Sequence, residues 1–382
     1  MTAFSPILKL HIERGICITR TQSKVVKIFQ RYVSQRWYIS NKTNASIKII
    51  RASFIGSREK ILKTPAIVIK NSFPDKISAL QIAWATIIFI TLVDFLWLRE
   101  WSFQLIIGPK LKTSISIAAI IFVNQWIKYR SRSDTNENSV WLTRLRDLSF
   151  TGQWMIALAA FCTATSILSS LSVAIAAPLI DDQLAWIDQA GGYDWLACYQ
   201  WVQGHPFLLL VLHLAYISGL AQMIVVPVAL GITGHKIELI KHIARLMLAI
   251  LTCIAIAAFF PAASAFLHFH VTDPETLNTV STFLPLREGT LRVIDLSISQ
   301  GLVSMPSLHA TFAILFAYAL RQAALFSNVG TALNVLMLAS TPTQGGHYLS
   351  DVIGGILLAA LVIVLVEKMS AHQNNREQPR SI

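Results

Sequence analysis

The sequence predicts an all-α protein, a polytopic transmembrane helix bundle of about 6–8 spans. Three observations predict it. Of 382 residues, 54% are hydrophobic and 14% charged, with a mean hydropathy of +0.55, which lies outside the range of soluble globular domains. Predominantly apolar runs near the length of a span recur along the chain. Lys and Arg collect in segments 128–150 and 234–245 and in the tail, while segment 180–206 has none, the pattern of cytoplasmic loops alternating with outer ones.

The apolar runs lie near 78–98, 112–127, 153–179, 207–233, 246–268, 306–325, 329–344 and 351–367. Eight spans is the best count, and six or seven stay open because the second and seventh runs are short and moderately polar. With the amino terminus inside, segment 128–150 is cytoplasmic and carries Lys128, Arg130, Arg132, Arg144 and Arg146. Segment 234–245, with Lys236, Lys241 and Arg245, is also inside. Segment 180–206 falls outside and holds Asp181, Asp182, Asp188 and Asp194 with no Lys or Arg. An even count returns the tail with Lys368, Arg376 and Arg380 to the cytoplasm.

The net charge of +12 does not point to nucleic acid, because 15 of the 32 Lys and Arg residues precede residue 78. Residues 1–77 contain only Glu13, Glu59 and Asp75 as acids and no run able to cross a membrane. They read as a basic cytoplasmic arm with a composition compatible with disorder. An organellar targeting peptide, or a stretch translated from upstream of the natural start, has the same composition. The remaining divisions are accessory spans and a cytoplasmic loop over 78–149, a transmembrane catalytic domain over 150–367, and a cytoplasmic tail over 368–382. Cys17, Cys162, Cys198 and Cys253 form no CxxC pair, so neither a disulfide framework nor a thiolate metal site is expected.

Candidate chemistry gathers where runs six, seven and eight meet. In SMPSLHATFAILFAYAL, Pro306 suits a first helical turn, which puts Ser307 and His309 in that turn. The free N–H groups and positive dipole end of a helix start favour an anion. In GGHYLSDVIGG, His347 and Asp351 stand four positions apart, on one helix face. A carboxylate beside an imidazole fixes its tautomer and stabilises its charged form, as a nucleophilic histidine requires. A His and Asp at this spacing also arise simply as a satisfied hydrogen-bonded pair, and the membrane setting favours function.

The combination of PSLHA and GGHYLSD, with 37 residues between the two histidines, resembles the second and third motifs of the type 2 phosphatidic acid phosphatase superfamily, P-S-x-H and S-R-x5-H-x3-D. The chain looks closest to the branch containing inositol phosphorylceramide and sphingomyelin synthases, over residues 150–367. The resemblance implies a catalytic core of that kind, with His347 as a nucleophile that becomes phosphohistidine, Asp351 as its orienting partner and His309 as general acid. It gives Ser307 and Ser340 to the phosphate. Two departures stand out: Thr341 replaces the arginine after the motif serine, and no K-x6-R-P first motif occurs. Arg287 and Arg292, the cations that most closely precede the PSLH helix in the outer segment, are the expected substitutes; the alternative is that they are interfacial charges.

The expected function is therefore an integral membrane lipid phosphatase or phosphotransferase acting on a lipid phosphate or diphosphate at the outer face of the membrane. A headgroup transferase of the inositolphosphotransferase kind is the alternative. A non-catalytic membrane protein or transporter is the second, and the absence of a convincing internal repeat weighs against it. No metal and no cofactor is expected. The partners are the bilayer and a lipid phosphate, not nucleic acid, with the oligomeric state open. The location follows the family branch: a bacterial inner membrane, with the site facing the periplasm or exterior and both termini cytoplasmic. His268 and His270 read as interfacial, and His213 as a packed residue. Trp97, Trp101, Trp126, Trp154, Trp186 and Trp201 read as interfacial anchors.

Overall fold

The structure, a computed structural model, describes residues 76–106, 140–271, 280–296, 302–322 and 324–377. The elements below lie in one compact unit formed by residues 72–190 and 194–382. In chain order they are α1 (Lys76–Glu100), β1 (Gln104–Ile106), α2 (Val140–Ala174), α3 (Asp181–Ala190), α4 (Trp195–Gln203), α5 (Pro206–Ile232) and α6 (Lys236–Phe259). There follow α7 (Ala265–His268), α8 (Phe283–Arg287), β2 (Val293–Asp295), α9 (Leu308–Leu320), α10 (Ala324–Gln344) and α11 (Leu349–Glu377).

Apolar side chains place these segments in lipid, where a helix satisfies its own backbone polar groups. Five helices are long and apolar enough to cross a membrane: α1, α2, α5, α6 and α11. Hydroxyls inside them are satisfied in the same local way. Thr151 donates to Asp147 O at 2.8 Å, Thr165 to Phe161 O at 2.9 Å and Ser170 to Ser166 O at 3.1 Å. The architecture is the expected polytopic helical bundle. Among the described residues its one extended element is a parallel pairing of β1 with β2, from Gln104↔Val293 to Ile106↔Asp295. Predicted run 112–127, with Trp126, lies outside the described residues.

Several boundaries differ from the sequence expectation. Run five, placed at 246–268, is the helix Lys236–Phe259, and segment 234–245 is mostly its first turns and not a loop. Three cations fit inside it because each is paired. Arg245, fully buried, donates to Glu238 Oε1 at 2.7 Å and to Glu367 Oε1 at 2.6 Å. Lys241 meets Glu367 Oε2 at 2.7 Å, and Lys236 pairs with Asp147 of α2. The helix ends just before Pro261, which cannot continue it. α2 likewise begins inside the expected loop 128–150 and runs unbroken across residues 149 and 150, and α11 continues through Glu377. Segment 180–206 holds two short helices in place of a plain loop.

α9 is the central element, packed against α5, α6, α10 and α11. Its 13 residues rise only about 20 Å, short of the roughly 30 Å hydrocarbon core. Surrounded by protein, it need not span lipid alone. Both of its ends are polar. At the far end, Arg321 joins the charged cluster by donating to Glu238 Oε1 at 3.3 Å, and the guanidiniums of Arg245 and Arg321 both lie over the Tyr318 ring. At the near end stand Ser307 and His309. Gly355 allows α11 to approach: a Cβ there would lie 2.4 Å from the Ser307 carbonyl oxygen.

Two further expectations change. Trp154 is buried in the core and is not an interfacial anchor, whereas Trp186, 69% exposed, fits that role. His213 is exposed on α5 and not packed.

Removing Arg245 leaves Glu238 buried with half of its pairing gone. Arg245→Ala is expected to lower stability by about 3–5 kcal/mol, the cost of breaking a buried ion pair, in unfolding of the purified protein in detergent.

Candidate active site

The site forms where α9 and α11 begin and α10 ends. Ser307 is the N-cap of α9, its hydroxyl accepting from Ala310 N at 3.3 Å. Pro306 therefore precedes the helix and is not in its first turn. The reason is this cap: a serine at φ −64° and ψ 115° starts the helix at Leu308 and leaves His309 as the site residue of the first turn. Ser307 N donates to the Asp351 carbonyl at 3.1 Å, and Thr311 donates to the Gly355 carbonyl at 3.0 Å, so the α9 and α11 starts are tied to each other.

His347 is buried just before α11, with Nδ1 3.5 Å from Asp351 Oδ2. Asp351 is fully buried behind it, and the same Oδ2 accepts from Ser304 Oγ at 3.2 Å and from Tyr348 N at 3.1 Å. These bonds hold the carboxylate against the imidazole. His309 meets Tyr216 of α5. Tyr216 Oη and His309 Nδ1 share a hydrogen bond of 3.2 Å, and the two rings stack at 4.1 Å and 21°.

Both histidines line one cavity of about 520 Å³ between α2, α5, α6, α9 and α10. With Nδ1 of each ring facing a protein partner, Nε2 is the nitrogen left for a substrate. Thr165, Ser166, Ser169, Ser264, Ser304 and Gln344 supply the polar part of the lining. Among the described residues, no Lys or Arg lines it, and no group of three or more His, Cys, Asp or Glu side chains is placed to hold a metal ion.

The other expected phosphate residues lie elsewhere. Ser340 is buried and donates to the Met337 carbonyl of its own helix at 2.7 Å. Thr341 does the same at 2.9 Å, so the position where the motif has arginine faces helix backbone. Arg287 donates to the Ala176 carbonyl at 3.2 Å, and Arg292 lies over the Phe103 ring. Neither lines the cavity. The start of α11 offers no free anion site either, because Asp188 already occupies it. Asp188 Oδ2 accepts from Leu349 N at 2.6 Å and Oδ1 from Ser350 N at 2.8 Å.

That carboxylate was legible only as an outer-loop acid, yet it caps the helix that follows His347. Burial pushes its carboxyl above the ordinary value, against the pull of the two N–H groups. Asp181 acts beside it, accepting from Ala263 N at 2.9 Å, Ser264 N at 3.2 Å and Tyr348 Oη at 2.9 Å. Burial, then the Asp181 charge, raises the Tyr348 phenol, which stays a neutral donor. Trp195 completes the frame, its Nε1 donating to the His347 carbonyl at 3.1 Å and the Pro342 carbonyl at 3.2 Å. Asp181, Asp188, Trp195 and Tyr216 all escaped sequence reasoning. The available signals were four acids without a basic partner and a tyrosine inside an apolar run.

Two glycines admit this crowding. A Cβ at Gly345 would lie 2.7 Å from His347 Cδ2, 2.8 Å from Tyr216 Oη and 2.9 Å from the Thr341 carbonyl oxygen. Gly346 has φ +61°, and a Cβ there would lie 2.4 Å from Ser264 Oγ.

The family model of the PAP2 superfamily matches residues 182–365, from α3 into α11, a range that contains His309, His347 and Asp351. No curated protein and no solved structure matches the chain.

Asp188→Ala uncaps α11 and is expected to cost on the order of 1–3 kcal/mol, measured by unfolding in detergent. Gly345→Ala forces backbone or rings apart and is expected to cost about 1–3 kcal/mol in the same measurement, as overpacking does.

Proposed function

We propose that the chain is a membrane phosphatase-type enzyme that cleaves a lipid phosphate or diphosphate through a phosphohistidine on His347. The observation that carries this reading is the meeting of His347, backed by Asp351, and His309 at one cavity in a helical membrane bundle. The match to the PAP2 superfamily over the same residues supports it.

In the first step Nε2 of His347 bonds to phosphorus and the bond from phosphorus to the ester oxygen breaks. His309, as imidazolium, gives its Nε2 proton to that departing oxygen. Asp351 accepts from Nδ1–H of His347 and stabilises the positive charge that the ring acquires. In the second step an acceptor oxygen attacks phosphorus, His309 takes the acceptor's proton and His347 leaves. Water as acceptor completes hydrolysis; a lipid or polyol hydroxyl completes transfer. Gln344, whose Nε2 is buried without a hydrogen-bond partner, is a neutral donor for the phosphate oxygens. Ser307 caps α9 from below and is given the role of holding the start of that helix in place.

The transferase reading draws on the cavity's neutral lining. A phosphodiester carries one negative charge and a phosphomonoester up to two, so walls of hydroxyl and amide groups favour the diester. The orientation read from the sequence is part of the proposal: the cavity outside, and the end bearing Lys236, Lys241, Arg245 and Arg321 toward the cytoplasm. A bacterial inner membrane remains the proposed location.

Purified protein is to be incubated with a panel of lipid phosphates, diphosphates and phosphodiesters, with and without added alcohols. Phosphate release, or transfer of a labelled headgroup, is expected from wild type, together with an acid-labile phosphoprotein. His347→Ala is expected to abolish both, and His309→Ala to slow turnover by about 10²–10⁴-fold. Full activity in His347→Ala would overturn the mechanism.

A further inference from the structure

We propose that Tyr216 is a positioning residue for His309: its hydroxyl oxygen accepts from Nδ1–H and thereby dedicates Nε2 to carrying the proton to and from substrate. The inference rests on the proposed role of His309 as general acid.

The geometry is a slot. Tyr216 and Gly219 stand three residues apart on α5, on one helix face. The Tyr216 ring covers the imidazole at a centroid distance of 4.1 Å. Gly219 stands beside it: a Cβ there would make an ordinary 3.5 Å contact with His309 Cδ2 and would press on Met337 Cε at 2.7 Å. The plane of the imidazole is thus set by packing, and its Nδ1 by the 3.2 Å bond to Tyr216 Oη.

The direction of that bond follows from the chemistry. Both nitrogens of an imidazolium are donors, so a general acid His309 requires an acceptor at Nδ1, and the tyrosine oxygen is that acceptor. The phenol hydrogen is then free to turn toward the cavity that Tyr216 itself lines. When Nε2 gives its proton to the ester oxygen, the ring is left as the Nδ1–H tautomer with a lone pair on Nε2. That lone pair is what receives the proton of the attacking water or alcohol, so the ring returns to its starting state and no proton is unaccounted for. The arrangement matches the one at the other histidine, where Asp351 faces Nδ1 of His347. A carboxylate suits the ring that must become a phosphorylated cation; a neutral hydroxyl suits the ring that must release its proton readily.

The test compares wild type with Tyr216→Phe, which keeps the stacked ring and removes only the oxygen, on an alkyl phosphate ester and its p-nitrophenyl counterpart. The first leaving group needs a proton and the second scarcely does. Tyr216→Phe is expected to lower kcat on the alkyl ester by about tenfold or more with KM little changed, and to move the alkaline limb of its pH profile to lower pH. The burst of p-nitrophenol is expected to stay near that of wild type. In a His309→Ala background, Tyr216→Phe is expected to add nothing on the alkyl ester. Equal losses on both esters, no loss on either, or an undiminished loss without His309 would overturn the inference while leaving the phosphohistidine reading standing. Absence of phosphate release and of phosphoprotein in wild type would overturn both. Should Tyr216→Phe fail to fold, 3-fluorotyrosine at position 216, a weaker acceptor of nearly the same shape, is expected to shift the alkaline limb in the same direction by less. An unmoved limb would overturn the inference.

Discussion

Asp188 holds the active-site end together. Its two oxygens accept from Leu349 N and Ser350 N, which are orphan donors at the start of α11. Fixing that start fixes what precedes and follows it: His347 on one side, Asp351 one turn along on the other. Asp181 ties Tyr348 to the segment Ala263–Ser264, and Trp195 ties the His347 carbonyl to α10. The backbone of His347 is thus anchored from α3, α4 and the chain after α6. Acids that seem to belong to an exposed loop serve instead as internal caps, while Trp186 and Ile187 of the same short helix face outward.

The same rule governs the opposite end. An unpaired charge in an apolar bundle is costly, so Arg245 is met by Glu238 and Glu367, and Arg321 and Lys241 join from α9 and the same turn region of α6. The short helix α9 runs between the two polar clusters. Four helices surround it, so its polar first turn is enclosed by protein, where the low local dielectric strengthens the interactions among its polar groups.

The lining of the cavity separates this chain from the motif pattern it resembles. Where that pattern has arginine, Thr341 turns to its own helix, and Arg287 and Arg292 serve a carbonyl and an aromatic ring. Hydroxyl and amide groups face the histidines instead. Recognition by such walls depends on shape and hydrogen bonding more than on net charge, and it gives the tautomers of the two imidazoles more weight in the chemistry.

The sequence by itself determined the helical membrane class, since lipid leaves a backbone few other ways to satisfy its polar groups. It also marked His347 and Asp351 as partners, but by a shared helix face that only Asp351 occupies: His347 lies before the first residue of α11 and reaches Asp351 from the preceding turn. It misplaced α6, because a hydropathy run ends at a charge, while a helix continues through one that is paired from another helix. It could not assign Asp188, Asp181, Trp195 or Tyr216, because each acts on a segment 93 to 167 residues away. Only tertiary packing decided that the arginines 287 and 292 stay out of the cavity and that a tyrosine enters it. Such contacts are set by how helices meet, and no local periodicity records them.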